Sequence, residues 1–272
     1  MGCTLVIDTS YGSTVGVVGH EPIIETDSRT HVEKLQGNIA RAIEQSGNTP
    51  QDIDTIIVGT GPAPFTGLRA GIVTAKALAF ATGATLIGQN ILEPQARWNL
   101  VRRAENGTSD AEDATRVLTL AVNDARRKQL YFELCEVSSG ASGADHDDAV
   151  IVPLIAMDID YPSSIVERVN QAVTEYAAAH GIDPATIVVD VVGHGAGKYA
   201  STLQGIERLG DIVDESVLDQ PDDWSIFAAQ AVVGHASDPD APIEPLYLRR
   251  PDAEVPSPLK HVLNHAGAER TA

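Results

Sequence analysis

The segment Gly59–Gly71, which reads GTGPAPFTGLRAG, constrains the fold more than any other part of the chain. It follows the β-branched run Thr55–Val58, a predicted buried strand, and it leads into a predicted helix from Thr66 to Thr82 that ends at Gly83. Glycines between a strand and a helix allow two interpretations. Their backbone N–H groups can cradle an anion at the helix N-terminus, or they can form a tight turn that needs positive φ. The spacing alone leaves both open.

The helix predicted after this loop carries two opposed apolar stripes. A surface helix needs one stripe, so two indicate burial on both sides. One side is expected to pack on the chain's own sheet, and the other on a further element of this chain or on a second protein. The first stripe is Leu68, Ile72, Ala75 and Ala79, the second is Ala70, Val73, Ala77 and Phe80, and Arg69 and Lys76 separate them along one edge. Small residues on the first stripe, with Gly71, would permit close helix–helix approach.

The other elements of the first half alternate between strand and helix patterns. Strands are predicted at Thr4–Ile7, at Val15–Val18, at Ile23–Arg29 and at Thr85–Gly88, and helices at His31–Gln45, with Thr30 and Glu33 as a capping box, and at Asn90–Arg103. The resulting order β-β-β-α-β-α-β-α recurs in ribonuclease-H-like, actin-like half-domains. Periodicity by itself predicts only a mixed α/β fold.

A second block of elements follows the polar stretch at residues 104–115, which predicts a linker. The block contains strands at Val117–Val122, Leu130–Val137 and Ile187–Val192, a helix capped by Ser164 and Glu167 that ends at Gly181, a glycine turn at Gly193–Gly197, and a helix at Trp224–His235. The low-complexity acidic segment 138–148 predicts a solvated loop. We therefore predict subdomains at residues 1–105 and 116–250, and a flexible tail at residues 251–272.

Composition excludes several classes of protein. A formal net charge of −19 over 272 residues repels phosphate backbones, so this chain alone is not expected to grip nucleic acid. No apolar run approaches the roughly 20 residues that a membrane helix needs. The N-terminus lacks a basic region and Asp8 interrupts its apolar run, so the cytoplasm is the expected location. Cys3 and Cys135 are each predicted to be buried and to pack as a small apolar side chain.

Motifs for catalysis are weak or absent. The segment Val192–Tyr199 is not a nucleotide-binding P-loop, since that motif needs glycine at the first position and Ser or Thr at the last. The histidines, including His31, lack the spacing of metal ligands, so no metal is predicted. No Gly-x-Ser-x-Gly elbow is present. Asp8, Asp124 and Asp190 lie at strand ends, where actin-like kinases hold Mg²⁺, but aspartate is also a common turn residue there.

Several segments agree in order and spacing with one known family. Gly59–Gly71 resembles the GxGPGSFTGLRIG signature of the TsaB family, also called YeaZ. The further agreements are IDTS at 7–10, His31 at a helix start, NDAR at 123–126 with Tyr131, and PLYLR at 245–249. The resemblance covers most of the chain, over residues 4–250. It implies an actin-like (ASKHA, ribonuclease-H-like) α/β fold with two related subdomains, of which the second is reduced.

The resemblance also implies a function in tRNA modification. TsaB-like chains are non-catalytic subunits of the complex that makes N6-threonylcarbamoyladenosine (t6A) in tRNA. They bind and activate the threonylcarbamoyltransferase TsaD, help recruit the ATPase TsaE, form homodimers when alone, and meet tRNA only through the complex. TsaD-like enzymes carry a pair of metal-binding histidines, and here only His31 stands at that helix start. No cofactor is therefore expected, except a nucleotide confined to the interface with the catalytic partner.

The resemblance places pairing on the first two helices. The predicted interface is Val32, Leu35, Ile39 and Ile43 on the first helix, and Leu68, Arg69, Ile72, Ala75, Lys76 and Ala79 on the second. The family-motif loop, with Gly59, Gly61, Pro62, Phe65, Thr66 and Gly67, is predicted to set the angle of the second helix. Ala63 and Pro64 depart from the family's Gly-Ser and remove a hydroxyl.

Two other classes of function remain open on the sequence. An actin-like small-molecule kinase or a glycoprotease-type hydrolase would need a nucleotide or metal site in the isolated chain. A stand-alone binding module would need only an exposed surface for another protein.

Overall fold

A computed structural model describes residues 2–27, 30–107, 116–138 and 150–249. Within these ranges the chain forms two five-stranded mixed sheets covered by helices, which confirms the predicted α/β class. The strands are β1 (Cys3–Asp8), β2 (Ser13–Val17), β3 (Ile23–Glu25), β4 (Ile53–Gly61), β5 (Thr85–Asn90), β6 (Arg116–Asp124), β7 (Leu130–Ser138), β8 (Val150–Asp160), β9 (Ile187–Val192) and β10 (Leu209–Val213). The helices are α1 (His31–Gln45), α2 (Phe65–Thr82), α3 (Glu93–Glu105), α4 (Pro162–His180), α5 (Ala200–Leu203) and α6 (Trp224–Ser237).

The two sheets repeat one topology. The first has the order β3-β2-β1-β4-β5 and the second has β10-β9-β6-β7-β8, so β6 corresponds to β1 and each later strand follows suit. In both sheets the first three strands pair antiparallel and the last two join in parallel. The second half is reduced at one place: the 4-residue α5 stands where the first half has the 18-residue α2. This duplicated arrangement is the actin-like fold.

Burial on both faces explains the continuously apolar central strands. Along β1, Leu5 and Ile7 join the core beneath α1 and α2, whereas Val6 points into a separate core between the two sheets. That middle core also holds Trp98 of α3 and Trp224 of α6. The two subdomains therefore share a continuous apolar contact.

Two predicted caps are wrong. Thr30 makes no capping bond to α1, because its backbone is helical and its hydroxyl donates to Asp27 instead. Ser164 lies inside α4, since Pro162 occupies the first turn and begins the helix earlier. Its hydroxyl donates to Asp160, 2.7 Å away.

Strand lengths also differ from the prediction. β4 continues to Gly61, so the predicted loop shrinks to Pro62–Pro64 and α2 begins at Phe65. β8 and β10 have no counterpart in the sequence prediction. Both are edge strands, where pairing on one side alone tolerates residues such as Pro153 and Gly210 that weaken a strand pattern.

Some predictions fall where the structure does not describe the chain. Most of the linker at 104–115, nearly all of the acidic loop at 138–148 and the tail at 251–272 lie outside the described residues. The subdomain boundaries remain predictions. None of the helices in the described ranges combines the length and the hydropathy that a bilayer crossing requires.

Candidate functional site

The structure separates the predicted interface residues into buried and exposed groups. Seven of them lie in the first subdomain's own core, which corrects their assignment as a contact surface: Leu35, Ile39, Ile43, Leu68, Ile72, Ala75 and Ala79. They pack between α1, α2 and the sheet, so a partner cannot contact them without opening that core. Val32 is half-buried, and Arg69 and Lys76 are exposed.

The second apolar stripe of α2 is the one that faces outward. Phe80 is 93% exposed and Val73 is 64% exposed, and Ala77 lies between them on the same face. On α1, Gly37 and Ala40 are also exposed. We call Ala70, Val73, Ala77 and Phe80 the α2 stripe. Exposed aromatic and β-branched side chains grouped in this way form an apolar surface patch.

The C-terminal segment crosses the start of α2. The Tyr247 ring stacks on Phe65, with 4.8 Å between centroids, and its hydroxyl accepts a hydrogen bond from Arg69 Nε at 2.6 Å. Leu246 N–H donates to the carbonyl of Thr60 at 2.9 Å. The PLYLR motif therefore packs on the N-terminal turn of α2 from outside. The sequence alone does not indicate which element this motif contacts.

The motif glycines are required by close packing. A Cβ added at Gly59 would lie 2.0 Å from Asp8 Oδ1, and one at Gly71 would lie 2.4 Å from Thr9 Oγ1. Gly61 has a φ of +92°, a conformation that favours glycine. These glycines bring β4 and α2 against the end of β1, as the tight-turn interpretation requires.

Gly59→Ala should therefore lower the free energy of unfolding by roughly 1–3 kcal/mol, because the new methyl group overlaps the Asp8 carboxylate. Chemical denaturation of the purified chain measures this. Gly37→Ala is the matched control, since its Cβ meets nothing within 4 Å and α1 should gain about 0.5–1 kcal/mol. Equal stability of the two variants would contradict the packing role of Gly59.

The cleft between the subdomains is closed by side chains. Asn123, at the end of β6, donates from Nδ2 to the carbonyls of Pro62 (3.2 Å) and Ser10 (3.4 Å). Beside it the Tyr11 ring stacks on His194, with 4.2 Å between centroids. Asp8 is buried, and desolvation raises its pKa, while hydrogen bonds from Ser10 and the nearby His194 oppose that rise. These contacts join the two subdomains at this point.

The second glycine turn already holds an anionic group of the chain itself. Asp214 Oδ1 accepts from the backbone N–H of Gly195 at 2.8 Å, and a Cβ at Gly197 would meet the same carboxylate at 2.7 Å. His194, in the same turn, pairs through Nε2 with Asp219 at 2.9 Å. An internal carboxylate thus accepts the hydrogen bond that the backbone N–H of Gly195 could offer to a phosphate. Whether a nucleotide contacts this turn at a partner interface stays a prediction.

The three aspartates predicted at strand ends serve different partners, and Asp190 lies inside β9 rather than at its end. Asp8 accepts from Ser10, Asp124 pairs with Lys198 Nζ at 3.0 Å, and Asp190 pairs with Arg103 Nη1 at 3.0 Å. Within the described ranges, no three His, Cys, Asp or Glu side chains converge as metal ligands do. The sequence prediction that no metal binds stays a prediction. Cys135 is buried, and desolvation raises the pKa of its thiol. The thiol therefore stays protonated and is a poor nucleophile.

Sequence reasoning missed Asn123 as a closing group and Asp214 as the internal anion. Asn123 belongs to the NDAR segment, so its presence in a motif was a usable signal. No signal pointed to Asp214, because it follows β10, a strand that the pattern does not reveal.

The chain is similar to several known proteins. The family model described as TsaD: tRNA N6-adenosine threonylcarbamoyltransferase matches residues 22–202. The uncharacterized protein Rv3421c of Mycobacterium tuberculosis is 29% identical over 92% of this chain and 93% of its own length. A tRNA N6-adenosine threonylcarbamoyltransferase of Methylorubrum extorquens is 43% identical over 72 residues, which are 26% of this chain and 21% of the enzyme.

Two solved structures from Pseudomonas aeruginosa share the fold. One is a protein with similarity to peptidase YEAZ (TM-score 0.59, 21% identity, 92% of this chain and 100% of the other). The other is YeaZ itself (TM-score 0.56, 20% identity, 91% of this chain and 100% of the other).

The two sheets of repeated topology give the chain an actin-like α/β fold. Because the family model covers more than half of its length, the chain belongs to the TsaD family of tRNA N6-adenosine threonylcarbamoyltransferases. Within that family its architecture is YeaZ-like, which confirms the TsaB resemblance of the motif segments.

Proposed function

We propose that this chain is a non-catalytic subunit of the complex that makes t6A in tRNA. In this role it binds and activates a TsaD-type catalytic subunit and helps to recruit a TsaE-type ATPase. When alone it pairs with a second copy through α1 and α2, and it works in the cytoplasm.

The observation that carries the proposal is the exposed α2 stripe. Burying a side chain such as Phe80 or Val73 stabilises an association by about 1.5–3 kcal/mol, and both are largely exposed in the chain alone. Arg69 and Lys76 border the stripe and suit the polar rim that such interfaces have. The proposed occupant of this surface is a related actin-like subunit that offers its own first helices.

The closed cleft supports the non-catalytic part of the proposal. An actin-like kinase binds its nucleotide between the subdomains. In this chain Asn123 joins the two halves there, and Asp214 accepts a hydrogen bond from the second glycine turn. Family membership alone does not decide this, because the match to a catalytic relative covers 72 residues of that enzyme. These contacts favour a non-catalytic subunit over the kinase and hydrolase interpretations.

Depletion of this chain in its own cells tests the proposal directly. We expect t6A in total tRNA, measured by mass spectrometry of nucleosides, to fall at least about tenfold, and restored expression to return it. With tRNA and threonylcarbamoyl-adenylate present, addition of the purified chain to a purified TsaD-type subunit should raise t6A formation. The chain with the same tRNA and adenylate, but without that subunit, should form none. Unchanged t6A after depletion would refute the proposed pathway, and turnover by the chain alone would refute the non-catalytic role.

A further inference from the structure

The turn between β6 and β7 concentrates positive charge that the proposed function does not use. Arg126, Arg127 and Lys128 are consecutive and exposed on this turn. Lys198 approaches from the turn after β9, and Arg249 donates to the carbonyl of Arg126 and to Gln129. The whole chain has 19 Lys and Arg against 38 Asp and Glu, so this concentration departs from its average character.

The backbone of the turn is left-handed at three successive residues. Arg126, Arg127 and Lys128 have φ values of 62°, 52° and 64°. Residues with a side chain avoid this region, and glycine enters it most easily. The turn is closed by Ala125 N–H on the carbonyl of Gln129 (3.1 Å) and by Gln129 N–H on the carbonyl of Arg126 (3.0 Å). The chain therefore holds three long basic side chains in a conformation that would suit glycine better.

These side chains border an open groove of about 660 Å³. Arg127, Lys128 and Lys198 are among its lining residues, and Tyr161 and Tyr199 contribute aromatic rings. Tyr161 is 55% exposed, so its ring is available for stacking. A groove that combines cations with an exposed aromatic ring is typical of sites for single-stranded nucleic acid.

The acidic side chains Asp124, Asp158 and Asp160 beside the groove are each paired with a basic side chain. Asp124 is buried and shared by two cations, Lys198 Nζ at 3.0 Å and Arg126 Nη1 at 3.6 Å. Asp158 and Asp160, at the end of β8, both pair with Arg168. Charges farther away than a Debye length of about 8–10 Å are screened at physiological salt, so the net charge of −19 does not cancel this local field.

We infer that this groove binds one or two nucleotides of single-stranded RNA directly. Phosphate oxygens would contact Arg127, Lys128 and Lys198, and a base would stack on Tyr161. Repulsion by the rest of the acidic surface restricts the contact to this groove and disfavours a long duplex. The identification of the RNA as tRNA rests on the proposed function. The inference goes beyond the sequence expectation that tRNA is met only through the complex.

Fluorescence anisotropy of a labelled single-stranded RNA of about twelve nucleotides tests this with the isolated full chain. We expect binding that weakens with salt, with a slope of log K against log[salt] of about −0.7 for each phosphate contact. The double variant Arg127→Gly/Lys128→Gly suits the left-handed backbone and should keep its melting temperature. It should bind at least about tenfold more weakly, with a shallower salt slope. Tyr161→Ala should weaken binding by about fivefold or more, through lost stacking.

A matched control removes the same charge elsewhere. Lys34→Ala/Arg41→Ala takes two basic groups from exposed positions of α1 and should leave RNA affinity unchanged. No salt-dependent RNA binding, or equal affinity of the glycine variant and the parent, would overturn the inference. If the glycine variant no longer binds the TsaD-type subunit but keeps its RNA affinity, the groove binds a protein, and the inference is again overturned. Because RNA binding is measured without the partner, failure of the proposed function and failure of this inference give different results.

Discussion

Val73→Glu and Phe80→Glu are each expected to abolish or greatly weaken binding of the TsaD-type subunit while the chain stays folded. Both side chains are largely exposed in the free chain, so a carboxylate there remains hydrated before association. At an interface the same carboxylate would be desolvated without a partner. Central interface residues cost about 2 kcal/mol or more when changed, so the Kd should rise at least about 30-fold. Sedimentation velocity of mixtures with the catalytic subunit measures this.

Two further variants make the test specific. Val232→Glu places the same change on α6, where the valine is similarly exposed, and it should bind the partner as the parent does. Leu68→Glu changes a fully buried residue of the first core and should unfold the chain, which circular dichroism would detect. Full affinity of both the Val73 and the Phe80 variants would show that α2 does not carry the interface. Weak binding by the α6 variant would place the contact elsewhere.

The two stripes of α2 show what periodicity can and cannot predict. The sequence correctly indicates two apolar faces, because 3.6-residue spacing is visible in any helix. It does not tell which face meets the sheet, since both faces are apolar. Packing decides this: Gly71 lies against Thr9 at the end of β1, where only a residue without a side chain fits. The bulky Phe80 is left on the outer face. The two apolar faces of α2 could therefore be predicted, but the seven buried residues assigned to the contact belong to the chain's own core. The interface on these helices stays a prediction.

The glycine segments show a second limit. Their strand-to-helix and strand-to-turn positions were predictable from β-branched runs that end in glycine. Whether such a turn binds a phosphate depends on what else occupies it, and at Gly195 the occupant is Asp214, which is brought there by a strand pairing. Long-range pairing of this kind leaves no local pattern. The fold was consequently more predictable than the site, and the family motif supplied the architecture that periodicity left undecided.

Glu133→Gln should stabilise the chain at neutral and alkaline pH. Glu133 lies on β7 beneath α3, it is 4% exposed, and its Oε2 has no hydrogen-bond partner among the described residues. Burial raises its pKa from 4.5 to about 7, and the negative charge of Glu93 adds to the rise. The folded chain therefore holds a proton on Glu133 that the unfolded chain releases above its ordinary pKa.

The sign of the pH dependence follows from this proton. Between about pH 4.5 and 7 the folded state binds more protons than the unfolded state, so the free energy of unfolding falls as pH rises. The loss is complete above the folded pKa and is on the order of 3 kcal/mol, at 1.36 kcal/mol per pKa unit. Glutamine stays neutral at every pH and removes this loss. The variant should equal the parent near pH 4 and exceed it by roughly 2–3 kcal/mol at pH 8.

Urea denaturation at several pH values, with the parent subtracted from the variant, isolates this group from the other titrating residues, including the buried Asp8. Glu167→Gln, at an exposed position of α4, is the matched control and should give a difference that does not change with pH. A flat difference for Glu133→Gln would mean that the carboxylate is charged at neutral pH and that water or a cation reaches it. A difference that grows between pH 5 and 8 would establish a protonated carboxyl group between the second sheet and α3. Acid would then stabilise the packing of those two elements, because protonation neutralises the buried Glu133 carboxylate.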